Sequence, residues 1–274
     1  MSNFVIAHPT LSDAGTWTES NSSAAYPLTN VLTQQPRETV RTNSNSNSYY
    51  VCDLGAAYAI NLIASLYTNA DTSVMWQIRG ATSEANLTAA PGYNSGSIRH
   101  WPDSGTSPID NSSWDRTHAL HMPATAQTYQ WWRIDVTGLS GLDYYESGRF
   151  YLSAAYQPTR NVDLGVKLGY QDSSFGVDTP GAHYRRSGRK WRSISAKFSY
   201  RYETEAYDDQ LTLDRTVGTG GDVLVCLDPA SRIMDRLLYS YVADMSEMDI
   251  GIWNIANASN LHTKGYVFTE FELP

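Results

Sequence analysis

The sequence predicts a mainly β protein with two domains, the second of which is β-rich α+β with one helix. Many short segments alternate apolar and polar residues, as β-strands do. Turn-forming residues, including 19 Gly and 11 Pro among 274 residues, separate these segments. The composition changes after Pro158, since the first lysine of the chain is Lys167. We therefore expect one domain at residues 1–157 and a second at residues 158–274.

A half-buried strand of the first domain covers residues 131–136. Trp132, Ile134 and Val136 fall on one face of an extended chain, and the residues between them fall on the other. Further strands are predicted at residues 4–7, 51–54, 60–67, 74–78 and 148–156. Residues 84–117 read as a long loop with aromatic residues, and a loop of that length in a compact domain is usually disordered or functional.

The second domain combines strands with one helix. The helix is predicted at residues 204–217, because Thr204 can cap its start, acidic residues follow in its first turn and Gly218 suits its end. Strands are predicted at residues 163–170, 193–201, 223–227, 237–243 and 266–271, and a loop at residues 175–188. The strand at 193–201 should turn four side chains inward, those of Ile194, Ala196, Phe198 and Tyr200.

Charge and cysteine content narrow the classes of function. The net charge of −8 argues against a nucleic-acid partner, because phosphate binding needs a basic surface. Cys52 and Cys226 each sit in an apolar, strand-like run, so we expect two buried free thiols and no disulfide. No run of 18 apolar residues and no signal-like N-terminus is present, so we expect no membrane insertion.

Four motifs in the first 155 residues resemble the discoidin-like, galactose-binding jelly roll. They are YVCDLG at 50–55, IRG at 78–80, WWRI at 131–134 and SGRF at 147–150, and they follow one another in the order of that family. The resemblance implies a jelly-roll β-sandwich for the first domain. The loop that often carries calcium in the family has no counterpart here, where NVLTQQP occupies residues 30–36. We therefore predict no metal site.

The continuation AYQPTRN at 155–161, leading into a second β-rich segment, is similar to distal-tail or baseplate proteins of long-tailed bacteriophages. In those proteins a sugar-binding-like module is fused to a tail-assembly domain. The resemblance implies a structural protein of the tail tip or baseplate, located in the virion and assembled in the host cytoplasm. It also implies a homo-oligomeric ring, with other tail proteins and host-surface polysaccharide as partners.

No set of residues predicts catalysis, so the chain is predicted not to be an enzyme and to need no cofactor. His118 and His121 have ligand chemistry, but no third ligand stands at a metalloprotease spacing. Nucleotide-binding and hydrolase motifs are likewise missing from the sequence. The alternative to a tail protein is a carbohydrate-binding module of a bacterial surface or secreted system.

The long loop and its neighbours supply the candidate glycan contacts. Aromatic rings can cover the apolar face of a sugar, while guanidinium and imidazole groups bind its hydroxyls. The candidates are Trp101, Trp114, Arg79, Arg99 and His100. The alternative is a structural role, in which both tryptophans fold back as lids over the core.

A basic segment in the second domain is a candidate subunit interface. Its cations are Arg185, Arg186, Arg189, Lys190, Arg192, Lys197 and Arg201. They can form a solvated face, a nucleic-acid contact, or a head-to-tail contact with Glu205, Asp208 and Asp209 of a neighbouring copy. In the ring hypothesis, apolar affinity would come from Leu237, Leu238 and Tyr239.

Overall fold

The computed structural model describes residues 3–8, 10–101, 116–180, 182–230, 233–251 and 261–271. Contacts divide the chain into two compact units. Unit 1 comprises Met1–Gln157 with Cys226–Leu237, and unit 2 comprises Pro158–Val225 with Leu238–Pro274. Both units consist mainly of strands, which confirms the predicted fold class. Independent folding of residues 1–157 stays a prediction. The sequence analysis did not assign the segment Cys226–Leu237 to the first domain.

The strands of unit 1 range from two to 13 residues in length and pair antiparallel in its sheets. In chain order they are β1 (Val5–Ala7), β2 (Thr16–Glu19), β3 (Val40–Arg41), β4 (Ser48–Ile60), β5 (Leu62–Thr68), β6 (Met75–Ala81), β7 (Tyr93–Arg99), β8 (Thr117–His121), β9 (Gln127–Thr137), β10 (Glu146–Ser147) and β11 (Arg149–Ser153). The described α-helices of the chain are α1 (Thr10–Ala14), α2 (Asn86–Ala89), α3 (Leu211–Val217) and α4 (Ile233–Arg236).

Unit 1 is a β-sandwich with a five-stranded and a three-stranded sheet. The strand orders are β2-β4-β9-β6-β7 and β11-β5-β8, and the pair β3-β10 lies beside them. Buried side chains from both sheets form one core, in which Trp132, Ile134 and Val136 of β9 meet Ile63 and Phe150. The inward face of β9 is therefore the one that the alternation predicted. This five-on-three arrangement is the jelly roll that the motifs implied.

The predicted loop at 84–117 contains regular structure at its start. Residues Asn86–Ala89 form α2, and β7 pairs with β6 at the sheet edge. The YNSGSIR sequence of β7 has little apolar alternation, and Gly96 has a φ of 69°. An edge strand contacts one neighbour only and needs no continuous apolar face, so its pattern is weak.

Unit 2 is built on one antiparallel sheet. Its strands are β12 (Lys167–Asp172), β13 (Phe175–Thr179), β14 (Ala182–Arg186), β15 (Lys190–Arg201), β16 (Asp222–Cys226), β17 (Leu237–Met245), β18 (Asp249–Gly251) and β19 (Leu261–Glu270). The order β16-β17-β19-β15-β12 forms the sheet, β18 pairs with β19, and β13 and β14 form a separate hairpin. The sequence predicted a loop where this hairpin stands.

The inward face of β15 follows the predicted alternation only as far as Phe198. Ile194, Ala196 and Phe198 are buried, but Tyr200 is 57% exposed and Arg201 is fully buried. The register of β15 against β19 shifts between Phe198 and Arg201, and Tyr200 has a φ of 59°. This bulge reverses the two faces, because one extra residue moves the following side chains to the opposite side.

Two further predictions are confirmed. A π-helical turn at Glu205–Gln210 continues into α3, as the predicted helix at 204–217 requires. Cys52 and Cys226 are buried free thiols. Burial raises the pKa of the Cys226 thiol to about 12, so it stays protonated and unreactive near neutral pH.

Candidate functional site

His100 lies in the interior of unit 1 and not on a glycan-accessible surface. It is 1% exposed, its ring centroid is 5.3 Å from that of Trp76, and its Nε2 is 3.0 Å from the Tyr145 hydroxyl. Burial lowers the pKa of His100 to about 3, so the imidazole is neutral at physiological pH. The predicted glycan contact of His100 does not fit this position.

The other predicted glycan residues do not converge. Trp101 is 6% exposed, as in the lid alternative. Arg79 and Arg99 lie at different points of the β6–β7 ladder, because Arg79 is opposite Asn94 whereas Arg99 is opposite Met75. Four residues along a strand separate them by ~13 Å. Trp114 lies outside the described residues.

A different group of side chains converges at one end of the sandwich. Because neighbouring strands are antiparallel, the loops at residues 20–47, 69–74 and 138–148 all leave the same end, here called the loop-rich end, where residues 100, 101 and 116 also lie. Five side chains from these loops and from the β3–β10 pair form what we name the arginine–tyrosine cluster. They are Tyr26, Arg41, Arg116, Tyr144 and Glu146.

Glu146 is the buried centre of the arginine–tyrosine cluster. Its side chain is 2% exposed, and its Oε2 accepts hydrogen bonds from Nη2 and Nε of Arg41 at 2.8 and 3.1 Å. Arg116 donates from Nη1 to the other carboxylate oxygen. A buried carboxylate requires such partners, because leaving one unpaired is strongly destabilising. Glu146 therefore fixes the directions of two guanidinium groups.

Two tyrosine rings enclose the guanidinium of Arg41. Its Cζ lies 4.0 Å from the ring centroid of Tyr26 and 4.0 Å from that of Tyr144. The Arg41 and Arg116 side chains remain 26% and 31% exposed, and Tyr26 is 37% exposed. Each cation–π contact at a partly exposed site contributes ~0.5–1 kcal/mol. The cluster is thus ordered and open to solvent at the same time.

Local backbone structure explains why these residues meet. Strand β10 pairs with β3, which places Glu146 opposite Arg41. Asn69 holds the same loop from the other side: its Nδ2 donates to the Tyr144 carbonyl at 2.8 Å, and its Oδ1 accepts from the Glu146 amide at 2.9 Å. The cluster is therefore built on hydrogen-bonded backbone and does not depend on a free loop.

A buried polar network lies beneath the cluster. The Tyr145 hydroxyl is 3.0 Å from His100 Nε2 and 3.0 Å from Ser65 Oγ, and Ser65 Oγ is 3.0 Å from Ser147 Oγ. Burial raises the pKa of the Tyr145 phenol, and the two serine hydrogen bonds oppose that rise. Since Tyr145 stands between Tyr144 and Glu146 in the chain, this network anchors the segment that carries them.

The sequence did not identify the arginine–tyrosine cluster, since its members come from distant segments. Arg41 and Glu146 are 105 residues apart, and periodicity reports only on local structure. The available signal was the segment DYYE at 143–146, in which two aromatic residues and a carboxylate stand together between two predicted strands.

Several residues of the predicted subunit interface are in the interior of unit 2, and that part of the prediction is wrong. Arg192 is 3% exposed and forms a buried ion pair with Glu270. Arg201 is fully buried and donates to the carbonyls of Arg160 and Asn161. The apolar candidates are equally inaccessible, since Leu237, Leu238 and Tyr239 are at most 1% exposed.

The remaining interface candidates are at the surface. Arg189, Lys190, Lys197, Asp208 and Asp209 are exposed. Glu205 is half-buried, and its Oε1 accepts a hydrogen bond of 2.6 Å from the Thr159 amide. A subunit interface at these exposed residues stays a prediction, and it would not include Arg192 and Arg201.

The two histidines considered as ligands serve the packing of unit 1. His118 is buried and its Nδ1 accepts from the Tyr67 amide, whereas His121 contacts the Tyr93 hydroxyl. Across the described ranges, no three His, Cys, Asp or Glu side chains come close enough to hold a metal ion. No helix in the part of the chain that the structure covers is long and apolar enough to span a membrane.

No protein-family model matches the sequence, and no curated protein matches it. Several solved structures resemble this structure. A galactose complex of the family 32 carbohydrate-binding module of NanJ from C. perfringens is 9% identical, over 55% of this chain and 99% of that one, with a TM-score of 0.40. Chitosan-binding module 1 of a chitosanase/glucanase from Paenibacillus sp. IK-5 is 15% identical, over 54% and 99%, with a TM-score of 0.38.

A Streptococcus pneumoniae fucose-binding module, SpX-3, is 11% identical, over 57% of this chain and all of that one, with a TM-score of 0.37. Each of these matches covers little more than half of this chain. At this level of similarity, nothing about the ligand of this chain follows from them.

Proposed function

We propose that unit 1 binds carbohydrate through the arginine–tyrosine cluster at its loop-rich end. The observation that carries this proposal is a partly exposed arginine held between two tyrosine rings by a buried carboxylate. The proposal matches the predicted alternative of a carbohydrate-binding module. It replaces the predicted set of glycan residues with Tyr26, Arg41, Arg116, Tyr144 and Glu146.

The chemistry of the cluster suits a polyhydroxylated ligand. Tyrosine rings offer apolar faces for sugar C–H groups, and their hydroxyls can donate or accept hydrogen bonds. Each guanidinium has five N–H donors, and the bonds to Glu146 use only some of them. Two guanidinium groups and one carboxylate leave a formal charge of +1, which tolerates neutral sugars and favours those with an acidic substituent.

A glycan array tests this proposal with the full chain. The wild-type protein should bind a defined subset of immobilised oligosaccharides, and Tyr144→Ala should lose that signal. Tyr58→Ala is the matched control, since Tyr58 is 42% exposed on β4 and belongs to no part of the cluster. Retention of full glycan binding by Tyr144→Ala, or equal losses in both variants, would contradict the proposed site.

The second candidate is the predicted structural role in a phage tail tip or baseplate, in which unit 2 forms a ring. What favours an assembly role is a segment of unit 2 with many exposed apolar side chains, which single chains rarely present to water. The place in a phage tail rests on the sequence resemblance alone and stays a prediction. The native mass of the purified full chain tests the assembly role, since a monomer at all concentrations contradicts it.

A further inference from the structure

Half of the exposed large apolar side chains of the described chain are concentrated in one short segment. We define residues 164–190 as the arm, which contains β12 and the β13–β14 hairpin. Twelve large apolar side chains are exposed in the described residues, and six of them belong to the arm: Leu164, Leu168, Tyr170, Phe175, Val177 and Tyr184. Such a concentration on a soluble chain marks an interaction surface.

Strand β12 leaves the apolar face of its sheet uncovered. Among the strands that the structure describes, it is an edge strand that pairs with β15 alone, and all of its residues are exposed. Leu168 is opposite Ile194 and Tyr170 is opposite Arg192. Residues directly opposite each other in an antiparallel pair lie on the same face, and Ile194 and Arg192 are buried. Leu168 and Tyr170 therefore extend a buried face of the sheet beyond the part that the chain covers.

The hairpin that follows β12 has the same character. Phe175 is opposite Arg186 and Val177 is opposite Tyr184, so these four side chains share one face. Phe175, Val177 and Tyr184 are at least half exposed. A two-stranded hairpin is marginally stable by itself in water, and packing against another surface is the usual source of its stability.

The arm is basic in a chain whose net charge is −8. Arg185, Arg186, Arg189 and Lys190 are exposed there. Lys190 is 3.8 Å from Asp172, whereas neither Arg185 nor Arg186 has a carboxylate within ion-pair distance among the described residues. The arm therefore presents cations that the residues around it leave unneutralised.

The same chain carries a surface with the complementary charge. We define the acidic tyrosine surface as Tyr202, Glu203, Tyr207, Asp208 and Asp209, all of which are exposed. Burial raises the pKa of Asp209, and the neighbouring Glu205 and Asp208 raise it further. Carboxylates that repel one another in this way are stabilised when cations approach. Two exposed tyrosines supply contact area beside them.

We infer that the arm of one copy docks on the acidic tyrosine surface of a second copy of this chain. The inference rests on the assembly role given as the second candidate function and names the surfaces that would meet. The two surfaces are different, so the contact is heterologous and passes from copy to copy. Basic and aromatic residues also suit nucleic acid, but exposed aliphatic side chains and a matching acidic surface on the same chain favour a protein partner.

Charge reversal on each surface tests the inference with the full chain. Sedimentation velocity should show concentration-dependent association of the wild type. Both Arg185→Glu/Arg186→Glu and Asp208→Lys/Asp209→Lys should weaken self-association by about tenfold or more, because like charges then face each other. A chain with all four substitutions should recover association. Arg160→Glu is the matched control, an exposed cation outside both surfaces that should change nothing.

Mixing the two charge-reversed proteins separates the possible results. The two native surfaces complement each other in charge, and so do the two reversed surfaces, so a head-to-tail contact predicts that the mixture associates although neither protein does so alone. Association of the wild type that neither reversal alters would overturn the assigned surfaces while leaving the assembly role intact. A monomeric wild type at high micromolar concentration would overturn both. A loss of oligonucleotide binding in Arg185→Glu/Arg186→Glu, with unchanged association, would assign the arm to nucleic acid and also overturn the inference.

Discussion

Two arginines of unit 1 lie against tyrosine rings and pair with carboxylates, yet their surroundings differ. Arg133 lies 3.9 Å from the ring centroid of Tyr49 and bonds Asp135, two residues along the same strand. Arg41 lies between two rings and bonds Glu146, which comes from a distant segment. The first arrangement lies on two neighbouring strands, β4 and β9, and the second joins several loops.

What lies beneath each arginine explains the difference in role. Near Arg133, the partly buried Tyr49 and Trp131 pack on a small apolar cluster of Val51, Ala81 and Leu87 on the outer face of the five-stranded sheet. Beneath the arginine–tyrosine cluster lies a network of buried hydroxyls and a neutral histidine. Arg133 therefore covers a small apolar cluster, whereas Arg41 is the arginine that we propose binds a ligand.

The largest expected effect concerns the loop-rich end itself. Trp101→Ala removes a side chain that is 6% exposed, so we expect a loss of ~3–5 kcal/mol in the free energy of unfolding. Chemical denaturation measures this loss. Tyr58→Ala, at an exposed position, should lose little. An unchanged midpoint for Trp101→Ala would return Trp101 to the candidate glycan contacts.

The next largest effect is expected at Glu146, and Asp135 serves as its comparison. Glu146→Gln removes the negative charge that Arg41 and Arg116 share, at a side chain that is 2% exposed. We expect the free energy of unfolding to fall by ~3 kcal/mol and glycan binding to be lost. Asp135→Asn, in a side chain that is 13% exposed, should cost ~1–2 kcal/mol and leave glycan binding unchanged. Denaturation curves and array binding of the same preparations measure both effects. Loss of glycan binding in Asp135→Asn with retention in Glu146→Gln would reverse the assignment of roles.

A smaller effect on the free energy of unfolding depends on pH and is due to His100. The pKa of His100 in the folded state lies below its ordinary value. As the pH falls below ~6.5, the unfolded chain therefore binds more protons than the folded chain. The stability that is present above that pH is lost on acidification. Between pH 7 and pH 5 this linkage amounts to ~2 kcal/mol. Wild type should lose that much more stability than His100→Gln over this range. Parallel pH profiles would show that His100 is not a buried neutral group.

Periodicity predicted the elements that have one buried face, such as the inward residues of β9 and the helix that ends near Gly218. The same periodicity predicts that Arg192 is buried, which the interface prediction did not take into account. Arg192 stands two residues before Ile194 and therefore lies on the inward face of β15. The burial of Arg201 could not be predicted in this way, since it follows a bulge at Tyr200. Contacts between distant loops, such as that of Arg41 with Glu146, have no local pattern at all.

The smallest expected effect on stability accompanies a large effect on binding. Tyr26→Ala removes a ring that is 37% exposed and its cation–π contact with Arg41, so we expect the free energy of unfolding to fall by only ~0.5–1 kcal/mol. Affinity for the glycan identified on the array should fall by about tenfold or more, because the ring is proposed to contact the sugar directly. Isothermal titration calorimetry and denaturation of the same protein measure both quantities. Unchanged affinity, or a large loss of stability, would contradict the role assigned to Tyr26.

The most direct measurement records the side-chain Nε–Hε signals of Arg41 and Arg133 by NMR while the glycan identified on the array is added. Both arginines lie against tyrosine rings and bond a carboxylate, so each serves as a reference for the other. We expect the Arg41 signal to shift with glycan concentration and the Arg133 signal to stay constant. A titrating shift at Arg133 with a constant Arg41 signal would place the ligand on the outer sheet face and contradict the proposed site.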